Sequence, residues 1–223
     1  MDPIHGKEAA LLDSWHANAQ PWTRAIAAGA IASRRLVTDQ AVVAAVLAGA
    51  PRRVLDLGCG EGWLTRALTA AGVDAVGVDA VPALVARAAA LGGTFHQASY
   101  ADLTADPGRV GSGFDAIVAN FALLDERPEP LLAALRRIAA PGCRLVVQTL
   151  HPGSVEGPYE DGWRTETFGG FGDDAAWAPM PWYFRTVASW IQVVSTDWTL
   201  LSIAEPLHPE TRRPASLILT GST

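Results

Sequence analysis

The segment Val54-Leu55-Asp56-Leu57-Gly58-Cys59-Gly60-Glu61-Gly62 constrains this chain more than any other. A short apolar run, a glycine-rich turn and a helical stretch from Glu61 to Ala71 that closes at Gly72 predict a buried strand feeding a helix. Glycines in such a turn permit positive φ and let the backbone approach a ligand, while the helix N-terminus presents unpaired N–H groups. The turn falls at the carboxyl end of its strand, where open α/β sheets bind their ligands. A second apolar run, DAVGV, ends on Asp79, and an acid there is placed to accept hydrogen bonds from ribose hydroxyls.

The alternation continues along the chain. Pro82–Leu91 predicts a helix closed by Gly92, TFHQ and FDAIVA predict strands, Glu129–Ala140 a helix and CRLVVQTL a strand. Ahead of it, residues 1–50 carry no strand signal and read as a helical cap, with Pro21 at the first turn of one helix and Thr38 capping another before Gly49. After Leu150 the rhythm breaks into a Gly-, Pro- and aromatic-rich insert, residues 151–185, too long and too aromatic for a featureless linker. A helix over Thr186–Val194 follows, then WTLLSIA and ASLILTG joined by the turn-rich EPLHPETRRP, which predicts a hairpin with one antiparallel strand. The expected fold is α/β: a Rossmann-like, doubly wound, seven-stranded sheet, mostly parallel with an antiparallel C-terminal strand.

With 223 residues the chain suits one elaborated domain: the cap, then a binding domain over 51–223 that carries the insert. It has 23 acidic against 17 basic residues, a net charge of −6, and its arginines are dispersed. Broad attraction to nucleic acid or an anionic membrane is therefore not expected. No apolar run of the ~18 residues needed for a span is present and the N-terminus carries no secretory pattern, so a cytoplasmic protein is expected. Cys59 and Cys143 have neither metal nor disulfide spacing, and no His/Asp/Glu cluster has ligand spacing, so no metal is expected.

Two cofactor classes use this strand–turn–helix geometry. A dinucleotide fingerprint counted from Gly58 requires glycine at position 63, where this chain has Trp63. Asp56, preceding the turn, would meet a pyrophosphate unfavourably and suits an ammonium group instead. These motifs, together with Phe114-Asp115-Ala116-Ile117-Val118-Ala119-Asn120-Phe121 and Pro141-Gly142-Cys143-Arg144-Leu145, resemble those of class I S-adenosylmethionine (SAM)-dependent methyltransferases, of the small stand-alone kind related to ubiquinone-methylating enzymes. The resemblance runs from about Arg53 to Leu150. It implies SAM as cofactor and S-adenosylhomocysteine as product. Gly58, Cys59 and Gly60 would hold the methionine part with Asp56, Asp79 the ribose and Ala80 the adenine, which Ser99 and Tyr100 would flank; Asn120 and Phe121 would lie near the sulfonium. Arg34, in Ile31-Ala32-Ser33-Arg34, would pair with the methionine carboxylate. A nicotinamide-dependent oxidoreductase, and a noncatalytic SAM-binding or cyclase relative, are the alternatives.

The acceptor side is read from the residues outside these motifs. His151, directly after a predicted strand at the sheet edge, is a candidate general base, and Tyr159 a candidate to orient an acceptor. Of 17 aromatic residues, eight lie between Val155 and Arg185, within the insert. Trp163, Trp182 and Tyr183 there, with Trp15, His16 and Trp22 of the cap, are candidates to line a lid over a small aromatic or heteroaromatic acceptor. Trp190 and Trp198 fall in regular elements and read as core. The expected partner is that acceptor alone, and the chain is expected to be a monomer or homodimer.

Overall fold

The structure, a computed structural model, describes residues 3–171 and 176–223. It opens with helix α1 (Pro3–Ala27), a π-turn over Arg34–Thr38 and α2 (Asp39–Leu47). The alternating part is β1 (Arg53–Leu57), α3 (Trp63–Ala70), β2 (Asp74–Asp79), α4 (Pro82–Ala90), β3 (Thr94–Gln97), α5 (Tyr100–Ala105), β4 (Phe114–Asn120), α6 (Glu129–Leu135) and β5 (Ala139–Leu150). Then come β6 (Gly162–Glu166), β7 (Met180–Phe184), α7 (Val187–Asp197), β8 (Thr199–Ala204) and β9 (Ser216–Ser222).

Seven strands form one sheet in the order β3-β2-β1-β4-β5-β9-β8, and β6 pairs with β7 in a separate two-stranded ribbon. β1 to β5 pair in parallel, whereas β9 runs antiparallel to both β5 and β8. This is the expected doubly wound sheet with its closing hairpin. Strands buried on both faces alternate their contacts. In β4, Ile117 and Ala119 face a core shared with Leu103 of α5, Leu132 and Leu135 of α6 and Val194 of α7, while Ala116 and Val118 face Val42 and Val46 of α2 and Leu64 and Leu68 of α3. Trp190 and Trp198 belong to the first of these cores, and Trp198 also donates from Nε1 to the Leu132 carbonyl at 3.2 Å. No helix of the described residues is long and apolar enough to cross a membrane.

Several boundaries differ from the expectations. Pro21 lies inside α1 instead of starting a helix. Leu11, Ser14, Asn18, Pro21 and Ala25, at helical spacing, form its buried stripe, so tertiary burial carries the helix across the missing N–H. Thr38 is helical and makes no side-chain cap for α2, which grows out of the π-turn instead. α6 ends at Leu135, because Ala139 already pairs with Phe114 and extends β5 past Pro141-Gly142. α5 was hidden in a stretch without helical periodicity; its start is set by a capping box in which Ser99 Oγ accepts from Asp102 N–H and Asp102 accepts from Ser99 N–H.

The described residues of the insert are more regular than its sequence rhythm indicates. β6 and β7 pair from Gly162↔Phe184 to Glu166↔Met180. The segment entering β7 is tied to α1 by Asn18, fully buried, whose Nδ2 donates to the Ala178 carbonyl and whose Oδ1 accepts from Ala178 N–H, both at 2.8 Å. That pair reproduces a strand-like exchange with one side chain and joins the helix to the segment that leads into the ribbon. Phe168, Met180 and Leu11 bury together, with Trp15, Leu124 and Trp182 packed around them.

Candidate cofactor and acceptor site

β1 and β4 are neighbours in the sheet, but the chain leaves them in opposite directions along it, which makes their carboxyl ends the switch point. A cavity of about 1030 Å³ lies there, bounded by the glycine turn on one side and by α1 and the β6–β7 ribbon on the other.

The turn is shaped for close approach. Gly58 has φ +63, and a Cβ on it would stand 2.6 Å from Ala122 Cβ and 2.9 Å from Tyr100 Oη. Gly62 has φ +79, with the phenyl ring of Phe95 2.5 Å from where its Cβ would be. Gly62 thereby provides the tight packing that a dinucleotide fold obtains from glycine one position later, and Trp63, half-buried on the cavity wall, packs its ring under the Arg34 guanidinium.

Buried carboxyls surround the turn. Asp79 Oδ2 accepts from Gly60 N–H and Oδ1 from Val81 N–H, each at 2.9 Å. Burial raises its pKa, and those N–H donors together with the charge of His16 oppose the rise. Asp56, 1% exposed, accepts a 2.7 Å hydrogen bond from Thr65 Oγ1. Burial pushes its pKa up to about 7 against that bond. Glu61, which the sequence reading did not single out, is also buried on the cavity wall; burial raises its pKa and the nearby Arg34 charge opposes it. Only its place in the turn could have flagged it.

Arg34 lines the cavity with Nε 3.0 Å from Asp39 Oδ1 and its guanidinium 4.7 Å from the Trp63 ring centroid. Asn120 Oδ1 and Thr38 Oγ1 are buried on the same wall without a hydrogen-bond partner among the described residues. This donor set fits SAM. Carboxylates and an orphaned amide oxygen suit its ammonium, Arg34 and the Thr38 hydroxyl suit its carboxylate, and Asp79 retains lone pairs for ribose hydroxyls.

Gly58, Cys59, Gly60, Ala80, Ser99, Tyr100 and Phe121 also line the cavity. Some of these side chains are committed elsewhere: Ser99 Oγ is held in its capping box, and the buried Tyr100 hydroxyl donates to the Ala122 carbonyl at 3.1 Å. Their contribution to a ligand is therefore surface and shape. The Cys59 thiol is buried with its pKa pushed far above the ordinary range, which leaves no nucleophile there.

On the lid side the cavity is aromatic. Trp15, Trp22 and Trp182 line it as expected, together with Phe168, Phe171 and Met180. Trp15 and Trp22 meet edge to face at 5.3 Å, and Phe168 stacks on Trp177 at 4.6 Å.

Five expected residues are not brought to this wall. His151 is buried behind it, with Nδ1 accepting from Gly153 N–H at 3.1 Å, which leaves Nε2–H to donate to Glu205 Oε1 at 2.8 Å. Both ring nitrogens are used, so the imidazole is a loop brace instead of a base facing an acceptor. Tyr159 is exposed and its hydroxyl accepts from Val187 N–H. Trp163 donates to Glu126 and meets Tyr183 edge to face, on the outer side of the ribbon. The alternation of a strand explains this: Trp182 faces the cavity, so its neighbour Tyr183 cannot. His16 is exposed on α1.

A mostly parallel sheet with a glycine turn, two strand-end acids and this cavity defines the site of a class I SAM-dependent methyltransferase. The sequence profile of a methyltransferase-domain family matches residues 32–198, and the chain belongs to that family. It is 37% identical over 112 residues to a ubiquinone biosynthesis O-methyltransferase of Methylococcus capsulatus, a stretch covering 46% of this chain and 45% of that protein. The chain thus matches less than half the length of this curated relative. Its fold is similar to that of 1,6-didemethyltoxoflavin-N1-methyltransferase from Burkholderia thailandensis, solved with 1,6-didemethyltoxoflavin and S-adenosylhomocysteine, at TM-score 0.68 and 18% identity over 99% of this chain and 90% of that one. A SAM-dependent methyltransferase from Mesorhizobium loti is similar at TM-score 0.61 and 20% identity, covering 81% and 95%.

Proposed function

We propose that this protein transfers the methyl group of SAM to an oxygen or nitrogen of a small aromatic or heteroaromatic molecule. The observation that carries the reading is the continuity of one cavity from the polar glycine turn to the aromatic lid, so that donor and acceptor share a single space. When bound, SAM supplies an electrophilic methyl group on a sulfonium. The glycine turn, Asp79 and Asp56 hold the donor end, and the indoles of Trp15, Trp22 and Trp182 give an acceptor flat apolar walls. Holding the two reactants in line accounts for most of the rate, up to ~7–11 kcal/mol in favourable cases. The ribbon and α1, joined at Asn18, act as the lid that excludes water. The likeness to a ubiquinone biosynthesis O-methyltransferase and to 1,6-didemethyltoxoflavin-N1-methyltransferase supports this acceptor class.

The test is calorimetric titration with SAM and S-adenosylhomocysteine, followed by transfer of label from [methyl-3H]SAM to phenols and N-heterocycles. Binding with transfer to at least one ring acceptor is the expected outcome. Failure to bind either ligand refutes the reading, and binding without transfer across the panel favours a noncatalytic module.

A further inference from the structure

With His151 and Tyr159 away from the cavity, a different group faces the acceptor. The chain leaving β4 passes over the cofactor end, where Ala122 closes on Gly58, and then reaches Leu124 and Asp125 on the acceptor side. This stretch is bolted to the lid. Tyr183 N–H donates to the Leu124 carbonyl at 2.9 Å, and Arg185 Nη2 donates to the carbonyls of both Asp125 and Glu126 at 2.6 Å. Arg185 is itself 3% exposed, with its guanidinium 4.9 Å from the Tyr183 ring and 5.0 Å from the Trp190 ring. The backbone of Asp125 is therefore fixed, the residue lines the cavity and, among the described residues, its carboxyl makes no hydrogen bond or ion pair.

We propose that Asp125 is the general base, taking the proton from the acceptor's O–H or N–H as that atom is methylated; this rests on the methyltransferase reading above. The O–H or N–H bond breaks with its electron pair left on the acceptor atom, which forms the bond to the methyl carbon. The pair of the breaking C–S bond stays on sulfur, giving a neutral thioether, and the proton passes from Asp125 to water after release. The charged groups that act on the carboxyl are Glu8 of α1 and Arg185 beyond β7, while Arg127 of the same loop and Glu166 of β6 line the same cavity. Glu166 Oε1 is already engaged by Phe168 N–H. Burial, reinforced by Glu8 and opposed by Arg185, pushes the Asp125 carboxyl up to about 6, which leaves it ionised at neutral pH with raised proton affinity. Such a base requires an acceptor that brings an ionisable O–H or N–H, which distinguishes phenols and protonated ring nitrogens from carboxylates.

The test compares wild type, Asp125→Asn and Asp125→Glu with [methyl-3H]SAM and 2-naphthol, 3,4-dihydroxybenzoate, 5-hydroxyindole and benzimidazole. Wild-type kcat should fall below an apparent pKa near 6. Asp125→Asn should lose ~100-fold in kcat and lose that acid limb, with acceptor KM and S-adenosylhomocysteine affinity within about threefold, and Asp125→Glu should restore part of both. An Asn variant that keeps its kcat or its acid limb overturns the proposal. Independently of any acceptor, 13C titration of the carboxyls in the S-adenosylhomocysteine complex should show a group near pH 6 that Asp125→Asn removes; Asp125 titrating near pH ~4, the ordinary carboxylate value, overturns it as well. Absence of S-adenosylhomocysteine binding to wild type would instead remove the methyltransferase reading beneath it.

Discussion

Asp56 and Thr65 share a 2.7 Å hydrogen bond that joins the end of β1 to α3 beneath the glycine turn, and both side chains are almost wholly buried. The bond lowers the cost of the buried carboxyl without cancelling it, since the Asp56 pKa still stands at about 7. The folded protein therefore holds a proton that the unfolded chain has released, and stability present below pH ~4 is lost as pH rises through 7. Asp125, raised to about 6, has the same sign. Asp56→Asn, which can still accept from Thr65, should stabilise the ligand-free protein at pH 8 by roughly 1–3 kcal/mol while weakening SAM binding at least ~10-fold. Urea unfolding at pH 5 and pH 8, with calorimetry of SAM binding, measures both.

Gly58→Ala should be far more costly to ligand binding than to folding. Its Cβ would collide with Ala122 Cβ at 2.6 Å, at a backbone conformation that L side chains rarely adopt. Relief requires moving the β4 loop that roofs the cofactor end. A stability loss of about 1–3 kcal/mol with SAM affinity reduced ~30-fold or more is expected, by thermal unfolding and calorimetry.

Trp22 and Trp182 should separate the two ends of the cavity. The Trp22 indole nitrogen comes within 3.7 Å of where a Gly60 Cβ would stand, so this ring covers the turn as well as the acceptor. Trp182 projects from β7 on the lid side. Trp182→Ala should raise acceptor KM with SAM affinity nearly unchanged, whereas Trp22→Ala should weaken both; steady-state kinetics beside SAM titrations decide it.

His151→Ala should leave kcat within about threefold and cost roughly 1 kcal/mol of stability, because its ring braces Gly153 and Glu205 and does not line the cavity. A hundredfold loss of kcat with an unchanged unfolding midpoint would contradict that assignment.

Local chemistry was legible in the sequence wherever neighbours along the chain decide it. The apolar run of β1, the glycine turn and Asp79 announced the cofactor end, because a tight turn needs glycine and a strand end needs few long-range partners to be recognised. The expected sheet class, and the burial of Trp190 and Trp198, followed from periodicity in the same way. What the tertiary structure decided is which side chains face the cavity. His151 sits next to the predicted site in sequence yet spends both ring nitrogens on Gly153 and Glu205. Asp125, in an unremarked loop, is carried to the acceptor side by Arg185 and Tyr183. Pro21 continues a helix because a buried stripe outweighs one missing hydrogen bond, and the aromatic insert became a ribbon whose alternation sent Trp182 inward and Tyr183 outward. Those outcomes depend on contacts between residues far apart in the chain, where packing and desolvation override local propensity.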